Sequence, residues 1–453
     1  MLLLNLPLRP MQLNVTYKEI WRIAYPIMLS SLAVSILNIT DTIFLGRVGE
    51  VELGAAVIGG TFYFIVLITG MALSNGAQII MSRRLGENKE KEVGAIFDHS
   101  IYMLILFSVL GFIVLRFVTH PLFTYIIHSE KILKSSLIFL DARSYGIFFA
   151  LVSMVFRSLC ISIAHTRIIT YSMALMAVVN IILDYVLIFG KAGFAPMGIE
   201  GAAIASVAAE IVQLVFLFIY VLLKTGIKKY NLLSFPRPEM LTLKKIFSIS
   251  TPIGLQFFIS MFGWFLFFVF IEKIGEHQLA VSNIVRNVYQ LSMTPVWGMA
   301  AAASTVTSNI IGQGKQNEVF GALKKCCVLS FSFIALLALA DIIFPQTILS
   351  IFTSDAKLIA DSFGCMKIMN IAMLMFSAAF VLITVVSGTG ATRQALIIES
   401  TAITIYIAYI YLAVEILKLP VETVWVSEII YWIIIAVMSW IYLRSMKWEK
   451  IVV

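Results

Sequence analysis

Asn180 and Asp184 stand four residues apart inside ITYSMALMAVVNIILDYVLIFG, a stretch that is otherwise almost wholly apolar. On a helix, positions i and i+4 share one face, a turn apart. A carboxylate in hydrocarbon is costly unless it is paired, hydrated or bound to an ion. The pair therefore predicts a polar face turned inward, toward a cavity or a cation. Asp41 lies in an equally apolar stretch, NITDTIFLGRVG. Taking Gly46 and Gly190 as outer helix ends, each acid sits roughly 8–9 Å below its end at 1.5 Å of rise per residue. The two can share one depth. Ser206, in GIEGAAIAS, is a fourth candidate oxygen.

Two carboxylates, an amide and a hydroxyl suit sodium, a hard cation that takes oxygen ligands. Asp41, Asn180 and Asp184 are the expected sodium ligands. Two close carboxylates equally hold a proton, because like charges resist joint ionisation. The sequence leaves Na⁺ and H⁺ open. A plainer reading stands beside each residue: an interfacial acid for Asp41, a helix-packing acid for Asp184, a packing amide for Asn180 and a small contact residue for Ser206. Other ionisable residues in or near apolar stretches are weaker candidates. Arg157, Arg286 and Lys367 read as snorkelling or paired cations. Glu210, Glu399 and Glu428 read as helix contacts or residues of the cytoplasmic side. His165 and Arg167 read as solvated charge at a loop.

The elements that must position these groups are membrane spans. The 453 residues are 60% hydrophobic and 13% charged, with mean hydropathy +0.97. A soluble chain would carry about 25% charged residues. Stretches near 20–45, 52–81, 96–118, 136–160, 168–190, 198–223, 246–271, 279–311, 322–344, 361–387, 395–417 and 421–443 approach the roughly 20 apolar residues a span needs. The fold expected is an all-α membrane protein of about twelve transmembrane helices. Pro295 falls mid-span, where it should bend its helix. The net charge of +8 comes from basic residues spread through short loops. It reads as membrane topology rather than nucleic-acid binding. The loops holding Arg83 and Arg84, Lys224 to Lys245, and Lys315 to Lys325 are expected to be cytoplasmic, with both termini. The first residues, with Arg9, show no cleavable signal. The four cysteines read as small core residues.

The chain repeats itself at an offset of 226. Pro26 pairs with Pro252, Gly49 and Glu50 with Gly275 and Glu276, and Thr166 and Arg167 with Thr392 and Arg393. Six spans per half give parallel repeats about a pseudo-two-fold axis along the membrane normal. The domains expected are 1–223, a cytoplasmic linker loop at 224–245, and 246–453. At the same offset, Asp41, Asn180 and Asp184 fall opposite Phe267, Tyr406 and Ile410. Only the first half keeps groups suited to a hard cation at those positions.

The sequence resembles the MATE (multidrug and toxic compound extrusion) family across nearly its whole length. The resemblance is carried by AYPIMLSS, DTIFLGRVGEVELGAA, MSRRLGENKEKEV, NIILDYVLIFG and GIEGAAIAS, and by STPIGLQ, IGQGKQNEV and SGTGATR in the second half. It implies a twelve-helix, two-lobe secondary exporter of small organic, often cationic, compounds, driven by Na⁺ or H⁺ without a cofactor. The matching positions, Asp41, Asn180, Asp184 and Ser206, resemble those of the DinF-like branch. Two departures stand out. The seventh span has no acid before Glu272 and the tenth holds only Lys367, which speaks against a cation site in the second half. The glycine-rich motif after the fourth span reads CISIAHTR, where the second half keeps SGTGATR. A flippase for a lipid-linked precursor is the alternative; it calls for a cationic cavity, to which Arg157, Arg286 and Lys367 could contribute. The protein reads as a non-enzymatic, monomeric, multi-pass protein of the cell membrane.

Overall fold

In hydrocarbon every backbone N–H and C=O must find a partner within the chain, and a helix achieves this locally. The computed structural model describes residues 12–451, so the reading of the first residues and Arg9 lies outside the described residues. Among the described residues there are helices and no strand. Ten helices are long and apolar enough to cross a membrane, eleven if one bent pair counts as a span. The helix at 276–312 is equally long, but Asn283, Arg286, Asn287 and Gln290 make it too polar for the same test.

The first unit covers Leu29–Ser250. Its helices are α1 (Tyr17–Val48, from Leu29 onward), α2 (Glu50–Gly86), α3 (Glu90–Ile113), α4 (Thr119–Ile126), α5 (Glu130–Arg143), α6 (Gly146–Ser162), α7 (Arg167–Phe189), α8 (Gly198–Lys224) and the single turn α9 (Ile227–Tyr230). Helix α2 packs on α3, α5 and α6, while α8 packs on α5, α6 and α7. The expected 136–160 span is broken: α5 and α6 meet at 51°. Gly190 caps α7 in the left-handed conformation (φ 65°), and a Cβ there would lie 2.5 Å from the Pro196 nitrogen.

The second unit holds Gln12–Met28 and the chain from Thr251 onward. Its helices are α10 (Met240–Ile274, from Thr251), α11 (Glu276–Gly312), α12 (Val319–Ile343), α13 (Pro345–Leu349), α14 (Ala356–Gly388), α15 (Thr392–Tyr411) and α16 (Val421–Arg444). Helix α14 is its buried centre, against α11, α12 and α16.

These boundaries differ from 1–223 and 246–453 because α1 and α10 each begin in one unit and end in the other. The 224–245 segment is not a free loop either. Asp98 on α3, fully buried, accepts from Leu233 N (3.0 Å), Ser234 Oγ (3.0 Å) and Phe235 N (2.9 Å). Tyr102 donates to the Pro236 carbonyl at 2.9 Å. A side chain at Gly94 would strike the Asn231 carbonyl, so α3 is bare where the segment lies on it.

Candidate functional site

The candidate site is built from α1, α7 and α8 within the first unit. Asn180 and Asp184, one turn apart on α7, are both fully buried. Asp41 on α1 is half-buried. Asn180 joins all four predicted residues. Its amide nitrogen donates to Asp41 Oδ1 and Asp184 Oδ2, each at 3.0 Å, and its oxygen accepts from Ser206 N and Oγ at 3.3 Å. This amide orientation is the one the surrounding donors and acceptors satisfy. The two carboxyl groups thus converge on one amide nitrogen. Asp184 Oδ1 has no donor. A buried, donor-less carboxylate oxygen beside a second carboxyl is a seat for a positive charge.

The arrangement can accept either form of that charge. A proton shared by the two acids leaves Asn180 as it stands. Turning the amide over presents its oxygen to the acids, which completes a set of oxygen donors for a hard cation. Among the described residues no three His, Cys, Asp or Glu side chains cluster as a metal site, so the donor set here is two acids, an amide and a hydroxyl.

A second group of residues stands one helical turn further along α8, and sequence reasoning missed most of it. Arg143, the last residue of α5, forms a two-pronged ion pair with Glu210: Nη1 to Oε2 at 2.8 Å and Nη2 to Oε1 at 2.7 Å. Its guanidinium lies 4.1 Å from the centre of the Tyr63 ring. Tyr63 donates its hydroxyl proton to Glu210 at 3.3 Å. The spacing of Ser206 and Glu210 on one face of GIEGAAIASVAAE was the available signal.

The second unit differs at the repeat-related positions. Tyr406, opposite Asn180, donates to Glu428 at 2.8 Å. Tyr289, opposite Tyr63, donates to the other Glu428 oxygen at 3.3 Å and accepts from Trp432 Nε1 at 2.8 Å. Phe267 stacks against Tyr406 and meets Trp425 edge-on. Glu399 accepts from Ser260 and Tyr431. Both glutamates are thus buried helix contacts, held by hydroxyl donors rather than by cations. The polar interior of this half is assembled across helices, so spacing along one helix could not reveal it.

The remaining candidates separate. Arg157 and Arg286 each bury an Nε without an acceptor, and Arg286 lies over Phe268 at 4.7 Å. Lys367 is exposed. His165, expected as solvated charge, is instead only 7% exposed, with Nδ1 3.0 Å from the Tyr220 hydroxyl. The departure at CISIAHTR does not abolish the turn. Ala164 takes φ 57° where its counterpart Gly390 takes φ 94°. Ser162 donates to the Gln78 carbonyl at 3.2 Å, where its counterpart Gly388 lies against Ser304.

A duplicated helical bundle with buried carboxylates between membrane-length helices defines a multi-pass membrane protein, and the family and relatives it matches are transporters. The chain belongs to the MatE family, whose model matches residues 26–186 and 252–412. The two matches are separated by the same 226 residues as the repeat. Relatives include the probable multidrug resistance protein NorM of Thermotoga maritima, 26% identical over 96% of this chain and 93% of that protein. The NorM protein of Photorhabdus laumondii is 25% identical over 75% of this chain and 74% of its own length. The fold matches an outward-facing multidrug resistance MATE family transporter of the MOP superfamily, with TM-score 0.91, 18% identity and coverage of 99% and 100%. It also matches a Pyrococcus furiosus MOP superfamily transporter, described as having a binding pocket of reverse polarity, with TM-score 0.90, 18% identity and 98% of both chains covered.

Proposed function

We propose that this protein is a secondary exporter of small organic, often cationic, compounds, driven by a Na⁺ or H⁺ gradient through Asp41, Asn180, Asp184 and Ser206. The observation that carries the reading is the buried convergence of these four side chains on one another, with Asp184 Oδ1 lacking a donor. A cation that binds one conformation better shifts the equilibrium by that difference in affinity. Loading the acid pair removes its mutual repulsion and lets α1, α7 and α8 close around it; releasing the cation restores the repulsion. That is a two-state element a gradient can bias. The protein sits in the cell membrane with both termini cytoplasmic and works as a monomer. The names of the NorM relatives support drug-like substrates. The flippase reading draws on Arg157 and Arg286, whose buried Nε groups lack acceptors.

Transport in proteoliposomes, with Na⁺ and pH gradients imposed separately, tests the proposal. Uptake of the fluorescent organic cation ethidium should follow one gradient or both. Movement independent of both gradients would reject it. Cysteine labelling at Lys228 from the cytoplasmic side only is the topology expected.

A further inference from the structure

A third carboxylate, the buried Glu210, stands beside the two acids of the candidate site. Glu210 is ion-paired with Arg143, which places a positive charge beside the Ser206–Asn180 link to Asp41 and Asp184. Glu210 lies one turn beyond Ser206 on α8, and a turn of α-helix rises about 5.4 Å.

The pair is built into the fold. A Cβ at Gly146 would lie 2.6 Å from Arg143 Nη1 and 3.1 Å from the Tyr63 hydroxyl, and closer still to Glu210. Only hydrogen fits. Arg143 ends α5 at the 51° break before α6. The repeat-related segment is α14, one continuous helix of 33 residues. There Met369 occupies the position of Arg143 and Ala372 that of Gly146. The break, the glycine and the guanidinium therefore occur together in the half that carries the acid pair, and are absent together from the other. Around Arg143, α2 contributes Tyr63 and α8 contributes Glu210; one turn back along α8, Ser206 meets Asn180, which holds the aspartates of α1 and α7. Arg116 and His120, from the α3–α4 region, are engaged with Asp141 instead.

Resting on the coupling role proposed above, we propose that Arg143 is a positioning residue whose charge, divided between Glu210 and the Asp41–Asp184 pair, sets the affinity of that pair for its coupling cation. Arginine stays charged throughout. While Glu210 holds Arg143, the two aspartates keep their demand for an external cation. If Glu210 loses its charge, the guanidinium becomes the counter-ion of the aspartates and competes with the coupling cation. If Arg143 loses its charge, Glu210 adds a third negative charge near the pair and attraction for the cation grows.

The two substitutions must then act in opposite directions, which a purely structural ion pair would not do. Glu210→Gln should weaken the apparent affinity about tenfold, read as a higher half-saturating Na⁺ concentration or a half-maximal pH shifted about one unit downward. Arg143→Gln should shift it by a similar factor the other way. The Arg143→Gln, Glu210→Gln double variant removes both charges and should return near the parent value. Because Arg143→Gln leaves a buried glutamate unpaired and could fail to fold, Glu210→Gln and the double variant supply the sign and the restoration without it. Ethidium uptake into proteoliposomes, titrated with Na⁺ and with pH, gives the readout, alongside binding of radiolabelled sodium. Shifts in the same direction, no shift, or a double variant worse than both single ones would overturn the proposal. Asp184→Asn serves as the separate control: gradient-driven uptake persisting in that variant would instead overturn the coupling site itself.

Discussion

Asn180→Ala removes the residue that holds the candidate site together. The parent amide gives one N–H to each carboxylate at 3.0 Å. A hydrogen bond to a charged group contributes about 1.5–3 kcal/mol, so the cation-free site loses about 3–6 kcal/mol of stabilisation for its two bonds. The cation-loaded site loses less if a proton is the coupling cation, because the proton itself then bridges the acids. The difference tightens proton binding, and even half of the smaller figure is about one pH unit. The half-maximal pH of ethidium uptake should therefore move upward by one to two units, by order of magnitude. If sodium is the coupling cation, the variant loses an oxygen ligand and needs at least about tenfold more Na⁺ for the same uptake, one ligand being worth on the order of 1.4 kcal/mol. The assay is uptake at matched protein levels, titrated separately with pH and Na⁺, with thermal unfolding in detergent as the folding control. A folded Asn180→Ala protein with unchanged dependence on both cations would refute the reasoning.

Other expectations follow from single positions. Ala164 holds a left-handed conformation that costs a side-chain-bearing residue about 1–2 kcal/mol, so Ala164→Gly should raise the unfolding temperature slightly and Gly390→Ala should lower it. Gly94→Leu should detach the 231–239 segment from α3, measured as faster proteolysis of that segment. Glu428→Gln should leave the cation dependence of uptake nearly unchanged, because one tyrosine still donates to the amide oxygen while the other hydroxyl can accept from the new amide N–H. Burial opposes ionisation of Glu87, but its bonds to Arg84 and Lys89 more than offset this and hold its carboxyl below the usual range. A depressed carboxyl stabilises the fold above its unfolded value near 4.5 and loses that contribution as pH falls through its folded value. Glu87→Gln should therefore flatten the acid limb of stability against pH in that window.

What the sequence made legible was local. The four-residue spacing of Asn180 and Asp184 in apolar surroundings marked a polar helix face, and the shared depth of Asp41 drew a second helix to it. Ser206 emerged from a run of small residues. The 226-residue offset exposed the duplication. What it concealed was tertiary. Arg143 sits in a span that read as continuous, and its meaning depends on Gly146 leaving room for an ion pair with another helix. His165 read as solvated because its partner, Tyr220, lies 55 residues away. Glu428 on α16 draws its donors from α11 and α15, which no single-helix pattern relates. The domain boundaries escaped because two helices change units midway.

The central claim, that cation coupling resides in the acid pair of the first unit, is tested most directly by the Asp41→Asn, Asp184→Asn double variant. In proteoliposomes it should bind ethidium measurably yet show no uptake driven by either a Na⁺ or a pH gradient. Gradient-driven uptake at the parent rate would contradict the account.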